Sequence, residues 1–235
     1  MKKGKLFIIP SPISNGLLSK SIPNSTQETL KNIKLFAVEN IRTTRRFLKK
    51  VDKSIDIDEL TFEIIDKRTK EKELTKVLNW LKNGNDVGLL SEAGCPGIAD
   101  PGHLLITLCH DNKIQVIPEV GPSSLILALM GSGLNGQHFC FNGYLPANPQ
   151  DRTKTLKKLE GKVETLNQTQ LFIETPYRNE HVAKAIVKTC SPKLKLCIGK
   201  DLTGDEEYLV TKTIGKWKES LPELHKTPCV FILGK

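Results

Sequence analysis

The chain has 235 residues, 38% of them hydrophobic and 26% charged, and carries a formal net charge of +9. That length accommodates one large or two small globular domains, and the excess of Lys and Arg favours a polyanionic partner such as nucleic acid. No apolar stretch is long enough to span a membrane, and the run 6–9 after the basic Met-Lys-Lys-Gly-Lys start is too short for a secretory signal, so no membrane partner is expected.

In chain order, Leu6–Ile9 reads as a first buried strand. It opens onto Pro10-Ser-Pro-Ile-Ser-Asn-Gly16, where two prolines forbid a helix. Asn24-Ser-Thr26 offers caps for a helix to about Lys34. Leu35–Val38 is a second strand, followed by Glu39 and a basic helix with Arg42, Arg45, Arg46, Lys49, Lys50 and Lys53. Asp56, Asp58 and Glu59 lack the glycine and distal glutamate of a calcium loop and read as solvated. Thr61–Ile65 is strand-like. Leu74, Val77, Leu78 and Leu81 then repeat with helical spacing up to Gly84.

The stretch 87–102 organises the rest. Val87–Leu90 reads as a buried strand, and Ser91-Glu-Ala-Gly-Cys-Pro-Gly-Ile-Ala-Asp-Pro-Gly102 follows as a Gly- and Pro-rich loop. Either it is a plain tight connection, or its bare backbone lets a ligand approach closely. Asp100-Pro101 reads as the cap and first residue of the next helix, with Leu104, Leu105, Leu108 and Cys109 on one face. Ile114–Ile117 is another strand, opening onto Gly121-Pro-Ser-Ser124 and a helix over 125–130. Alternating strands and helices predict a mostly parallel sheet with helices on both faces, and ligands at the carboxyl ends of its strands.

In the second half, 139–145, 171–176, 195–199 and 229–233 read as strands. Residues 152–159, with Arg152, Lys154, Lys157 and Lys158, and residues 181–190 read as helices. The glycine-rich stretch 131–137 is the best-placed hinge between halves. The six scattered cysteines form no C-x-x-C and read as reduced core thiols of a cytoplasmic protein. The histidines show no zinc spacing, so no metal is expected. There is no G-x-S-x-G, no G-x-G-x-x-G and no P-loop. On the residues alone, the chain is an α/β ligand-binding enzyme acting on something anionic.

The loops together resemble the ribosomal RNA small-subunit methyltransferase I family of the tetrapyrrole-methylase superfamily. Ser91–Gly102 is similar to S-D-A-G-x-P-x-x-x-D-P-G, and Pro10–Asn15 to P-T-P-I-G-N. Val38–Arg42 resembles A-E-D-T-R, and 118–124 resembles P-x-P-G-P-S-A. Residues 141–146 resemble F-x-G-F-L-P with Arg152 following, 172–178 resemble F-Y-E-S-P-x-R, and 200–203 resemble R-E-L-T.

The resemblance implies two α/β domains, 1–121 and 122–235. The first would have a mostly parallel sheet and the second a mixed one, with S-adenosylmethionine bound between them in a homodimer. It implies transfer of a methyl group to a ribose 2′-hydroxyl of ribosomal RNA in the small ribosomal subunit. Pro10, Glu92, Gly94, Cys95, Ser123, Ser124, Tyr144, Leu145, Thr175 and Pro176 would contact the cofactor. Glu39 and Glu174, each at a strand end, are the candidate general bases. Arg42, Arg45, Arg46, Arg152 and Arg178 would hold RNA phosphates.

The chain departs from the family at Ser14 for Gly, Asn40 for Asp and Glu92 for Asp. It also ends at Lys235, without the C-terminal helical segment of many members; if that segment grips the ribosome, a different site or substrate is expected here. These departures keep two further readings open: a methyltransferase for a small molecule such as a tetrapyrrole, and an RNA-binding paralogue without catalysis.

Overall fold

The structure, a computed structural model, describes residues 2–235. The chain divides between Ser123 and Ser124 into two compact units.

The first unit is a parallel sheet in the order β3-β2-β4-β1-β5, formed by β1 (Lys5–Ile8), β2 (Leu35–Val38), β3 (Thr61–Ile64), β4 (Val87–Leu90) and β5 (Gln115–Pro118). Successive residues point to opposite faces, and each face buries its own core. Leu6, Ala37 and Leu89 meet Leu74, Val77 and Leu81 and, from α4 (His103–Asp111), Leu105 and Cys109. Ile9, Phe36, Val38 and Leu90 meet Leu30 of α1 (Asn24–Asn32) and Phe47 and Leu48 of α2 (Ile41–Val51). Strands buried on both faces explain the near-continuous apolar runs. Gly88 is required by this packing: a Cβ there would press on the Phe36 ring, which stacks on Phe62 with centroids 5.6 Å apart.

Two helix starts differ from the expectation. Asn24 is already the first helical residue and Pro23 precedes it, while the Thr26 hydroxyl, instead of capping, donates to the Val120 carbonyl at 2.9 Å. Asp100 is not the cap of α4. Gly102 is, at φ 129°, a conformation that Asp would adopt only with strain. The helical repeat at 74–81 forms a 3₁₀ turn (Glu71–Leu74) running into α3 (Thr75–Lys82).

The second unit is a mixed sheet in the order β6-β7-β10-β8-β9. Its strands are β6 (Phe139–Tyr144), β7 (Thr169–Glu174), β8 (Lys195–Lys200), β9 (Tyr208–Thr213) and β10 (Cys229–Gly234). Only β6 and β7 pair in parallel. The fully buried β10 runs through the centre. One face carries α6 (Pro149–Leu166) and α7 (Asn179–Thr189) through Leu156, Leu159, Val182 and Ile186. The short α8 (Ile214–Trp217) joins this core, and the Trp217 indole donates to the Leu196 carbonyl at 2.8 Å.

The other face is covered by α5 (Ser124–Ser132), whose Gly131 lies so close to Leu209 that a Cβ there would force the leucine side chain to shift. Residues 131–133 are therefore part of a packed helix and its end, not a hinge. Strand β9 was not foreseen. It is an edge strand whose residues are mostly half-buried, so its apolar run is short.

Helix α6 begins three residues before the expected 152 and ends seven after 159. The Asn148 side chain accepts from the backbone of Gln150 and Asp151 and sets its start. All six cysteines are free, and burial pushes Cys109 up to about 11 and Cys190 and Cys229 up to about 12, which makes them inert thiols.

Candidate active site

The strand order dictates where a ligand can bind. From β2 the chain crosses outward to β3, and from its neighbour β4 it crosses the opposite way, towards β5. Adjacent parallel strands with diverging connections open a crevice at their carboxyl ends. The loops after β1, β4 and β5 meet beside it.

Ser11 and Gly94 form an isolated antiparallel bridge, with Ser11 N–H donating to the Gly94 carbonyl at 2.9 Å and Gly94 N–H donating back at 3.0 Å. The Ser11 hydroxyl donates to the Ser91 carbonyl at 2.9 Å. Gly94 sits at φ +70°, and a Cβ on Gly121 would collide with the Pro10 ring. The Cys95 thiol points at the Pro122 carbonyl, 3.5 Å away. Pro10 and Gly94 are buried, and Cys95, Ser123 and Ser124 half-buried. The crevice is thus walled by backbone and small side chains.

Its charge is unlike that of the rest of the protein. The chain holds 35 Lys and Arg, yet residues 10–16, 91–102 and 118–124 contain none, only Glu92, Asp100 and Glu119. Such loops repel phosphate and suit a ligand with a positive centre and hydroxyl groups.

The Glu39 carboxylate accepts the Glu92 backbone N–H at 3.0 Å, while the Glu92 side chain is exposed. Asp100, expected from the sequence as a helix cap, is a half-buried carboxyl beside them. Burial, then the negative charge of Glu39, push it up to about 6, against opposition from Lys67 and a hydrogen bond with Ser91. It follows Ala99, which holds φ +64° without being glycine. Sequence spacing does not reveal this placement of Asp100. Among the described residues no group of His, Cys, Asp and Glu is arranged to hold a metal ion.

In the second unit, Tyr144 is 52% exposed and Leu145 buried. Thr175 is exposed and Pro176 half-buried. Glu174 is buried: its Oε1 accepts from Thr175 N–H at 2.8 Å and its Oε2 lies 2.9 Å from Arg178 Nη2. Arg178 also donates to the Pro146 carbonyl and Arg152 to the Ala147 carbonyl, at 3.5 and 3.4 Å. Both arginines therefore have partners within their own unit. The three arginines of α2 are exposed. Arg45 lies over the Phe62 ring, 5.3 Å from its centroid.

The chain is 35% identical over 209 residues to the ribosomal RNA small subunit methyltransferase I of Buchnera aphidicola subsp. Schizaphis graminum, spanning 88% of this chain and 69% of that protein. It belongs to the ribosomal RNA small subunit methyltransferase I family. Members from Escherichia coli O157:H7 and from Buchnera aphidicola subsp. Acyrthosiphon pisum are each 31% identical, over 91% and 98% of this chain and 71% and 78% of theirs. No protein-family model matches the chain.

Solved structures place this methyltransferase in the tetrapyrrole-methylase fold. The methyltransferase CobJ superposes with a TM-score of 0.65 at 16% identity, covering 99% of this chain and 94% of that one. Uroporphyrin-III C-methyltransferase from Thermus thermophilus, in a complex described as holding S-adenosyl homocysteine, superposes with a TM-score of 0.60 at 15% identity, covering 99% and 98%. At that identity the likeness concerns fold. The family assignment comes from the closer sequence relatives.

Proposed function

We propose that this methyltransferase uses S-adenosylmethionine to methylate a ribose 2′-hydroxyl of small-subunit ribosomal RNA. The observation that carries the reading is the phosphate-repelling, acidic, glycine-walled crevice at the switch point of a strongly basic chain. It suits a cofactor with a cationic sulfonium and no phosphate. When bound, S-adenosylmethionine supplies the reactive methyl group.

The chain's own residues have the remaining work. Pro10, Glu92, Gly94, Cys95 and Ser123, on the crevice loops, hold the cofactor; Ser124, Tyr144, Leu145, Thr175 and Pro176 are the further contacts that the family resemblance assigns. Aligning hydroxyl oxygen, methyl carbon and sulfur is positioning work. Glu39, at the carboxyl end of β2, takes the hydroxyl proton; the half-buried Asp100 beside it has its carboxyl pushed up to about 6. The exposed arginines of α2, Arg42 and Arg46 foremost, hold RNA phosphates.

The same reading carries a cytoplasmic homodimer acting on the small ribosomal subunit; light scattering of the purified chain gives the oligomeric state. Calorimetric titration with S-adenosylmethionine tests the cofactor. The wild-type chain binds it, and Ser123→Trp, which fills the crevice, does not. Absence of binding by the wild-type chain would overturn the enzymatic reading and leave an RNA-binding paralogue.

A further inference from the structure

We infer that Arg178 is a positioning residue that locks together the two second-unit segments facing the cofactor, 144–146 and 174–176, rather than a contact for RNA phosphate; the inference rests on the proposed use of S-adenosylmethionine.

Strand β6 leaves its register with β7 just before these segments. Phe141 pairs with Leu171, but the next pairing is Tyr144 with Ile173, and Gly143 in the bulge has φ +65°. A bulge re-aims the side chains that follow it. Tyr144 rejoins the ladder opposite Ile173 and Leu145 is anchored in the core, but Pro146 lies beyond the last pairing.

Arg178, the residue just before α7, ties this end of β6 to the end of β7. One guanidinium nitrogen reaches both the Glu174 carboxylate, which closes β7, and the carbonyl of Pro146, which follows Leu145. Glu174 in turn accepts the N–H of Thr175. A single ionic group thus joins both segments.

The ion pair cannot be released cheaply. The Glu174 side chain is 1% exposed, against 32% for Arg178. Glu174 Oε2 is buried and makes no aligned hydrogen bond among the described residues, so the Arg178 charge is what compensates it. Turning Arg178 out to a phosphate would strand a buried carboxylate, and that costs more than a surface ion pair returns.

The test uses the full chain carrying Glu174→Gln together with Arg178→Met. The pair removes both charges at once and leaves no buried charge behind. Two quantities are read: the dissociation constant for S-adenosylmethionine, and the salt dependence of binding to a small-subunit ribosomal RNA fragment. The expected result is cofactor binding weakened roughly 10-fold or more, as when contact groups are displaced by about 1 Å, with the RNA salt slope unchanged. Arg178→Lys, which keeps a charge for Glu174 but lacks the fork, falls between wild type and the double variant and carries the test if the double variant does not fold.

A salt slope lower by about 0.7–0.9, the loss of one phosphate contact, with unaltered cofactor affinity would overturn the inference. So would a lower melting temperature with both affinities intact. If the wild-type chain does not bind S-adenosylmethionine, the cofactor reading fails first and this inference with it. If the wild type binds and the variants bind equally, the positioning role alone is wrong.

Discussion

The Glu39 carboxylate accepts the backbone N–H of Glu92 at 3.0 Å. Glu39 stands at the end of β2 and Glu92 opens the loop after β4, its neighbour in the sheet. The main chain makes the same link, since Glu39 N–H donates to the Leu90 carbonyl at 3.1 Å. The acid proposed to take the proton is therefore also a brace for the crevice loop. Substitutions must separate the two roles.

Glu39→Gln keeps an oxygen for the Glu92 N–H but cannot accept a proton. Its kcat is expected to fall about 10²- to 10⁴-fold, with cofactor affinity nearly unchanged. Glu39→Ala loses the brace as well, so its cofactor affinity falls too. Single-turnover rates and calorimetry on both variants check this. A Gln variant with wild-type kcat would remove Glu39 from the chemistry.

Asp100 gives the fold a pH dependence of definite sign. Its carboxyl is pushed up from 3.8 to about 6 in the folded chain, by burial first and by Glu39 second. The folded state therefore holds its proton more tightly than the unfolded chain. Stability from this group is greatest below pH 3.8, falls as pH rises through 3.8–6, and stays reduced above that. Because Asp100 is only half-buried, the penalty at neutral pH is discounted to about 1 kcal/mol. Asp100→Asn is expected to be more stable than wild type at pH 7.5, with the difference shrinking towards zero near pH 4. Urea unfolding at the two pH values measures it; a destabilised variant at pH 7.5 would contradict the assignment.

Asn40, one of the departures from the family pattern, has a structural role. Its side chain accepts the Thr43 N–H at 3.1 Å and caps α2. Asp makes the same cap, which is why one replaces the other without loss of the helix. Asn40→Ala is expected to cost about 1 kcal/mol. Asn40→Asp is expected to hold or slightly raise stability, since a negative charge suits a helix N-terminus. Thermal unfolding of both variants decides.

Arg42 and Arg46 are exposed on α2, whereas Arg45 is engaged with Phe62. Arg42→Ala and Arg46→Ala are each expected to weaken RNA binding similarly across sequences and to lower the log–log salt slope by about 0.7–0.9. Fluorescence titrations at several salt concentrations report the slope. An unchanged slope in both variants would move the RNA surface off this helix.

The parallel sheet was legible in the sequence because its strands are buried on both faces and read as plain apolar runs, such as Val87–Leu90. Edge strand β9 was not, because half-buried edge strands mix polar and apolar residues. The crevice loops were legible from their Gly and Pro content. What spacing does not carry is the pairing of side chains distant in sequence. Arg178 looks like a free cation until Glu174 is seen buried against it. Asp100 looks like a helix cap until Gly102, at φ 129°, is seen to take that position.

The most direct test of the central claim is the chemical location of the transferred methyl. The chain is incubated with small ribosomal subunits and methyl-labelled S-adenosylmethionine, and the RNA is then hydrolysed with alkali. A 2′-O-methyl group blocks cleavage at its own phosphodiester, so the account predicts label in alkali-resistant dinucleotides. Label released in mononucleotides, or no label in RNA from a chain that binds the cofactor, would contradict it.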